Sequence, residues 1–197
     1  VDLLMVSGDI FDNPYPSTSV LSSYYKILFD LSQTNLKKVI LTGGNHDSSS
    51  VMNAPKEILD RLNISVIGGM PQKIEDAIIE LEKEGVCQAI VCSVPFLKEK
   101  DLRKSVAGND IESKKAEIAE SIANLYEQIF EKAKRINKNN VPIIAMAHLF
   151  VSDTNAFSQK EMELFIGGLQ QLSLNQLPKG FDYFALGHIH RATVVGG

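Results

Sequence analysis

Tryptophan is absent and cysteine occurs only twice among the 197 residues. Cys87 and Cys92 do not amount to a disulfide framework, which predicts an intracellular, cytoplasmic protein. They stand five residues apart in an apolar run with no second pair, so they read as core filling rather than ligands. Long hydrophobic runs are also lacking. The longest, Val141–Val151, is too short for a bilayer-spanning helix, so no membrane association is expected. There is no excess of positive charge: the net charge is −4, which advertises neither a nucleic-acid partner nor an acidic membrane. No Gly-x-x-x-x-Gly-Lys-Ser/Thr loop and no Gly-x-Ser-x-Gly elbow occurs, which argues against P-loop and hydrolase-elbow chemistry. An initiator methionine and a signal-peptide pattern are missing too. The chain opens on the strand-like Val1–Val6 and closes on the strand-like Thr193–Gly197, so a fragment cut at both ends is expected.

What is present suits a packed domain: 44% of residues are hydrophobic and 22% charged. Short apolar runs at Leu3–Val6, Lys38–Thr42, Ile64–Ile67, Pro142–Ala147 and Phe181–Leu186 read as strands buried on both faces. Between the first two, Ser17 is a candidate N-cap for a helix reaching about Asn35. Its apolar face would carry Val20, Leu21, Tyr24, Leu28 and Leu31. Pro55–Leu62 predicts a short helix and Ile111 to about Asn137 a long one. Residues 74–94 fit either a helix or a hairpin turning at Lys83-Glu84-Gly85. Ser152–Glu163 reads as a polar loop with a helical piece. Residues 98–138 hold ten Lys and Arg against eight acids, which reads as a solvated helical face. Alternating strands and helices predict an α/β layered domain.

Four segments share one design: an apolar strand, small residues, then a metal-capable side chain. They are Gly8-Asp9, Gly44-Asn45-His46-Asp47, Ala147-His148 and Gly187-His188-Ile189-His190. In open parallel sheets such carboxyl ends meet at one edge, where ligands bind. All four histidines of the chain fall in these segments. Asp9 has two carboxylate oxygens and can bridge two cations. His188 and His190, two apart in an extended segment, project to one side. Asn45 offers a neutral carbonyl. His46 is placed to donate a proton to a phosphate oxygen, with Asp47 holding its ring and raising its basicity. Mixed nitrogen and oxygen donors suit manganese, iron or zinc. Two such ions clamp a phosphate and acidify a bound water, a phosphoester hydrolase design.

Taken together, these motifs resemble the signature of the calcineurin-like metallophosphoesterases. Ser7-Gly8-Asp9-Ile10-Phe11-Asp12, Ser93–Leu97, Ile166-Gly167-Gly168 and Phe181–His190 further resemble the SbcD family of nuclease subunits. That resemblance implies a fold of central β sheets flanked by helices. It also implies a two-manganese nuclease acting on DNA ends and hairpins with an SbcC-like ATPase. It makes Asp9 the bridging ligand, completes one metal site with Asn45, His148 and His188, and puts His190 on the other. His46 becomes the catalytic histidine, supported by Asp47. Residues 77–94 become a hairpin. A homodimer contact falls on helices near 17–35 and 51–62, with Tyr24, Tyr25, Leu28 and Met52 as interface candidates.

The sequence departs from the family pattern in three ways. The family's first motif, Asp-x-His, lies upstream of Gly-Asp, so the 1–197 domain is expected to lack that strand–helix unit. The capping and SbcC-binding regions are expected to lie beyond it. Ala147 stands before His148 where glycine is common. By itself the fragment is expected to bind at most one metal tightly and to be nearly inactive. Two rival readings are another phosphatase or small phosphodiesterase of the same superfamily, and a non-catalytic scaffold without the first metal motif.

Overall fold

The computed structural model describes residues 2–102, 111–152 and 171–196. The chain runs β1 (Leu3–Ser7), α1 (Thr18–Ser32), β2 (Lys38–Thr42), α2 (Ser49–Asn53), α3 (Lys56–Asp60) and β3 (Ile64–Ile67). It continues through β4 (Ile78–Lys83), β5 (Val86–Val94), α4 (Ile111–Ile136), β6 (Ile143–His148), β7 (Phe150–Ser152), β8 (Gln171–Ser173) and β9 (Tyr183–Gly187).

Two sheets form the centre. One is parallel, in the order β1-β2-β3. The other has the order β4-β5-β6-β9, antiparallel only at β4–β5. A small parallel pair, β7–β8, stands apart. Burial divides into three cores. Tyr24 and Leu28 of α1 and Met52 of α2 pack on the outer face of the first sheet with Val39, Leu41 and Val66. Ile118, Ile122, Tyr126 and Ile129 of α4 cover the second sheet at Ile90, Cys92 and Ala145. Ile40, Val91 and Met146 meet between the sheets. A buried pair, Thr42 Oγ1 and Ser93 Oγ at 2.7 Å, bridges that middle layer. The result is helices, sheet, sheet, helix, the layered α/β fold read from the sequence.

Most local expectations hold. Ser17 caps α1, its Oγ accepting the Val20 amide at 3.4 Å. The ambiguous 74–94 segment is a short 3₁₀ turn followed by the β4–β5 hairpin. Glu84 and Gly85 both have positive φ (54° and 75°), the conformation a two-residue hairpin turn demands.

Several expectations are corrected. Tyr24, Leu28 and Met52 are core residues, 8%, 2% and 0% exposed, so they cannot form a dimer surface. Val20 is exposed, because the buried stripe of α1 is narrower than its apolar pattern. Exposed apolar side chains on α1 are Val20 and Ile27 on one flank and Tyr25 and Phe29 on the other. The apolar pattern missed helix α2, since one turn of five residues carries no periodicity; the helix that the resemblance puts near 51–62 is two short ones, α2 and α3. Among the described residues, Thr193–Gly196 is not a strand. The expected loop at 152–163 falls beyond Ser152 outside the described residues, as does the Ile166-Gly167-Gly168 motif.

Candidate metal centre

Parallel pairing puts the carboxyl ends of β1, β2, β6 and β9 on one side of the molecule. The two sheets join there. Ser7 Oγ donates to the Ala185 carbonyl at 2.9 Å, and β9 passes so close to β1 that a Cβ on Gly187 would strike the Ser7 carbonyl. Gly8, at φ +91°, turns the chain out of β1 where His148 leaves no room for a side chain. Asp9 and His188 also have positive φ, 51° and 90°. Strained backbone of this kind concentrates at functional sites.

His148 is 1% exposed and held at both ring nitrogens. Its Nδ1 donates to the Ser7 carbonyl at 2.7 Å, an assignment made from the hydrogen-bond network. Its Nε2 therefore turns a lone pair toward Asn45 Oδ1 at 3.0 Å and Asp9 Oδ2 at 3.3 Å. His188 Nδ1 lies 3.1 Å from the same Asn45 oxygen. The donor atoms of Asp9, His148 and His188 all fall within 4.8 Å of one another. A lone pair facing two oxygens is relieved by a proton on Nε2 or by a cation held among the three atoms. The three separations also match the edge of an octahedron with metal–ligand distances of about 2.1 Å, which is about 3.0 Å. These four residues fit one divalent ion. Donation from Nδ1 to a carbonyl is the usual way a ligating histidine is oriented. Burial holds the His188 pKa below its ordinary value, and His148 beside it adds to the effect, so the ligating neutral ring is favoured.

His190 is exposed and contributes no atom to this convergent group. It lines the same cavity of about 500 Å³ as Asp9, His148 and His188, which continues along Met5, Ser7 and Ala185 between β1 and β9.

His46 is exposed at the rim. Its backbone amide donates to Asp9 Oδ1 at 3.1 Å, and its ring Nδ1 is 2.8 Å from the Asp12 carbonyl. That hydrogen bond, followed by the Asp9 charge, raises its pKa above the ordinary histidine value. Asp47 does not hold the ring, contrary to the sequence-based expectation. It is buried and accepts three backbone amides: Ile10 at 3.1 Å, Phe11 at 2.9 Å and Gly44 at 2.7 Å. Its carboxylate ties the loop after β1 to the loop after β2, so it acts on His46 through the backbone that carries Asp12 and, more weakly, through its charge. Ser7 and Asp12 were missed by sequence reasoning. Both contribute a carbonyl, which every residue has, so no side-chain signal marks them.

A family model described as calcineurin-like phosphoesterase matches residues 1–192. The SbcD subunit of the SbcCD nuclease of Escherichia coli is 32% identical over 201 residues, covering 100% of this chain and 48% of that protein. Its counterpart from Rhodobacter capsulatus is 29% identical, with 100% and 50% covered. DNA double-strand break repair protein Mre11 of Saccharolobus solfataricus is 26% identical, with 96% and 39% covered. The chain thus spans about half the length, or less, of these curated relatives. With the family matched almost end to end, and the metal-capable strand ends converging at one edge, this chain belongs to the calcineurin-like phosphoesterase family.

Proposed function

We propose that this chain is the catalytic domain of an SbcD-like, manganese-dependent nuclease that hydrolyses phosphodiesters at DNA ends and hairpins during double-strand-break repair. The family uses divalent metal ions, and the convergence of Asp9, Asn45, His148 and His188 on one point is the observation that carries the reading. The names of these relatives, nuclease and double-strand break repair protein, support DNA as the substrate. They also support an SbcC-like ATPase as partner.

Divalent ions at this edge would polarise the phosphoryl oxygens and lower the pKa of water. The protein's own groups supply the rest. Asp9 and Asn45 present oxygens, and His148 and His188 present ring nitrogens, from four separate strand ends. His46, with Nδ1 committed to the Asp12 carbonyl, keeps Nε2 as its proton-transfer atom. The carbonyl bond fixes the ring's orientation, which suits donation from Nε2 to the departing oxygen.

In this reading residues 1–197 are one nuclease domain, and His190 serves a second metal position. The remaining ligands come from an upstream strand, supported by the cavity between β1 and β9 and by a β1 edge that pairs only with β2 among the described residues. Capping and ATPase-binding regions lie elsewhere in the whole protein. A homodimer through α1 and α3 is supported by exposed Tyr25, Ile27, Phe29 and Ile58. The free cysteines suit a cytoplasmic location.

The test compares hairpin DNA with p-nitrophenyl phosphate as substrates of the full-length protein in manganese, with His46→Gln alongside. DNA cleavage that falls about 10²- to 10⁴-fold in His46→Gln, with manganese affinity unchanged, supports the reading. Hydrolysis of the monoester alone moves the protein to the phosphatases, and failure to bind any divalent ion leaves only a scaffold.

A further inference from the structure

A second cavity, of about 310 Å³, opens at the carboxyl end of β3. Strand β3 pairs in parallel with β2, so this cavity lies on the same side of the sheet as the metal centre. Its walls include Ser49, Asn53, Lys56, Gln72, Lys98 and Asp101. Lys56 comes from the start of α3 and Lys98 from the segment after β5, so the fold puts lysines from two separate segments on the wall of one cavity. Neither ammonium has an ion-pair partner among the described residues. Asp101 is already engaged: its Oδ2 accepts the Lys98 backbone amide at 2.8 Å. Asn53 Oδ1 is committed to the Gly68 amide at 2.9 Å, which leaves the Asn53 NH₂ as the group a ligand would meet. The cavity therefore offers the donors of Lys56, Lys98 and Asn53 against the single Asp101 carboxylate, an excess of one positive charge, beside an apolar wall of Val66, Ile67, Met70 and Pro71.

An acceptor-rich anion fits this lining. The volume is at the small end of the range for ligand pockets, about 300–1,000 Å³, which suits one nucleotide rather than a protein segment. The path to the metal centre is short. Gly43 N donates to Ile67 O at 2.9 Å, so two chain steps lead from that contact to Gly69 and two to Asn45. Four steps of 3.8 Å and one inter-strand spacing give at most about 20 Å. That is about six steps of duplex rise at about 3.4 Å each.

We infer that the Lys56–Lys98 cavity is a phosphate-binding subsite that holds the nucleic-acid backbone a few nucleotides from the scissile bond. This deepens the nuclease reading and rests on it. The same phosphate chemistry also belongs to a free nucleotide, so the experiment separates the two sources.

Fluorescence anisotropy would follow a labelled 20-base-pair duplex binding to the full-length protein across 50–200 mM salt, with Lys56→Ala/Lys98→Ala compared to wild type. The subsite predicts a Kd at least about ten-fold weaker in the variant. It also predicts a salt slope smaller by nearly two, at about 0.9 per phosphate contact. Manganese affinity and the urea midpoint serve as folding controls and stay unchanged. In parallel, titrating AMP and inorganic phosphate into the protein, followed by NMR at the lysine side chains, tests the other source. Shifts at Lys56 and Lys98 with unaltered duplex binding would keep the phosphate chemistry but overturn the backbone role. Unaltered duplex binding and no lysine shifts would overturn the subsite altogether. If wild type itself fails to bind duplex, the nuclease reading falls, and the AMP and phosphate titration alone judges the cavity.

Discussion

His148 shows how much a single residue depends on its surroundings. Its Nδ1 is spent on the Ser7 carbonyl, so Nε2 has only the metal position to serve. Loss of an outer hydrogen-bond partner in a metal site costs about 10- to 100-fold in affinity, and loss of the ligand itself costs more. His148→Ala is therefore expected to weaken manganese binding by more than about 100-fold, read by titration calorimetry. Asp47 is the contrasting case. It faces no ligand, and its carboxylate satisfies three amides in a buried place. Asp47→Asn swaps one acceptor oxygen for a donor and leaves at least one buried amide unpaired, at a cost of about 1–3 kcal/mol. Urea unfolding should show that loss while metal affinity is largely kept. The types and spacing of these residues were legible in the sequence. Which of the two carboxylates, Asp9 or Asp47, would face the metal was read from the family resemblance and is supported by the geometry. The role assigned to Asp47 was not legible, because it runs through backbone atoms.

At the scale of elements, α1 carries more apolar residues than one buried stripe can use. Tyr24 and Leu28 go into the core, and Val20, Tyr25, Ile27 and Phe29 remain outside. A helix period identifies which residues share a face, but the width of the covered stripe is set by what packs over it. If α1 is the dimer contact, Phe29→Glu places a charge in that interface. Sedimentation velocity is then expected to show a dimer converted to monomer, with metal affinity unchanged. A monomer in both proteins would remove α1 from that role. The β4–β5 hairpin gives the opposite lesson. Its residues fit a helix by spacing, and strand pairing wins because Glu84-Gly85 can turn with two positive φ angles and β6 offers β5 a neighbour.

The whole molecule buries ionisable groups in two of its three cores. Burial pushes the Cys92 thiol up to about 12 and raises Tyr24 and Tyr126 as well. The hydroxyls of both tyrosines find no hydrogen-bond partner among the described residues. Below the ordinary thiol value of 9.0 the folded and unfolded states hold the same protons, and these groups add no pH dependence. Above it the unfolded chain releases protons that the folded one keeps, so stability falls as pH rises from about 9 toward 12. The urea midpoint should be lower at pH 10.5 than at pH 8. Tyr126→Phe is expected to make that decline shallower. It should also raise stability at pH 8 by about 1 kcal/mol, because it removes a buried hydroxyl with no bond to lose.

The sequence by itself determined five of the strands, the Ser17 cap of α1 and the metal-capable residues at strand ends. These follow from local patterns: apolar runs, turn residues and side-chain chemistry. Only the tertiary structure decided that Asn45, His148, His188 and Asp9 meet while His190 stands apart. It also decided that Asp47 ties loops rather than holding a ring, and that Lys56 and Lys98 share a cavity. The first depends on two sheets meeting at one edge and on the Ser7 carbonyl, the second on backbone amides of neighbouring loops, and the third on segments that follow different strands. Long-range packing and backbone hydrogen bonds are not written in any short stretch of residues.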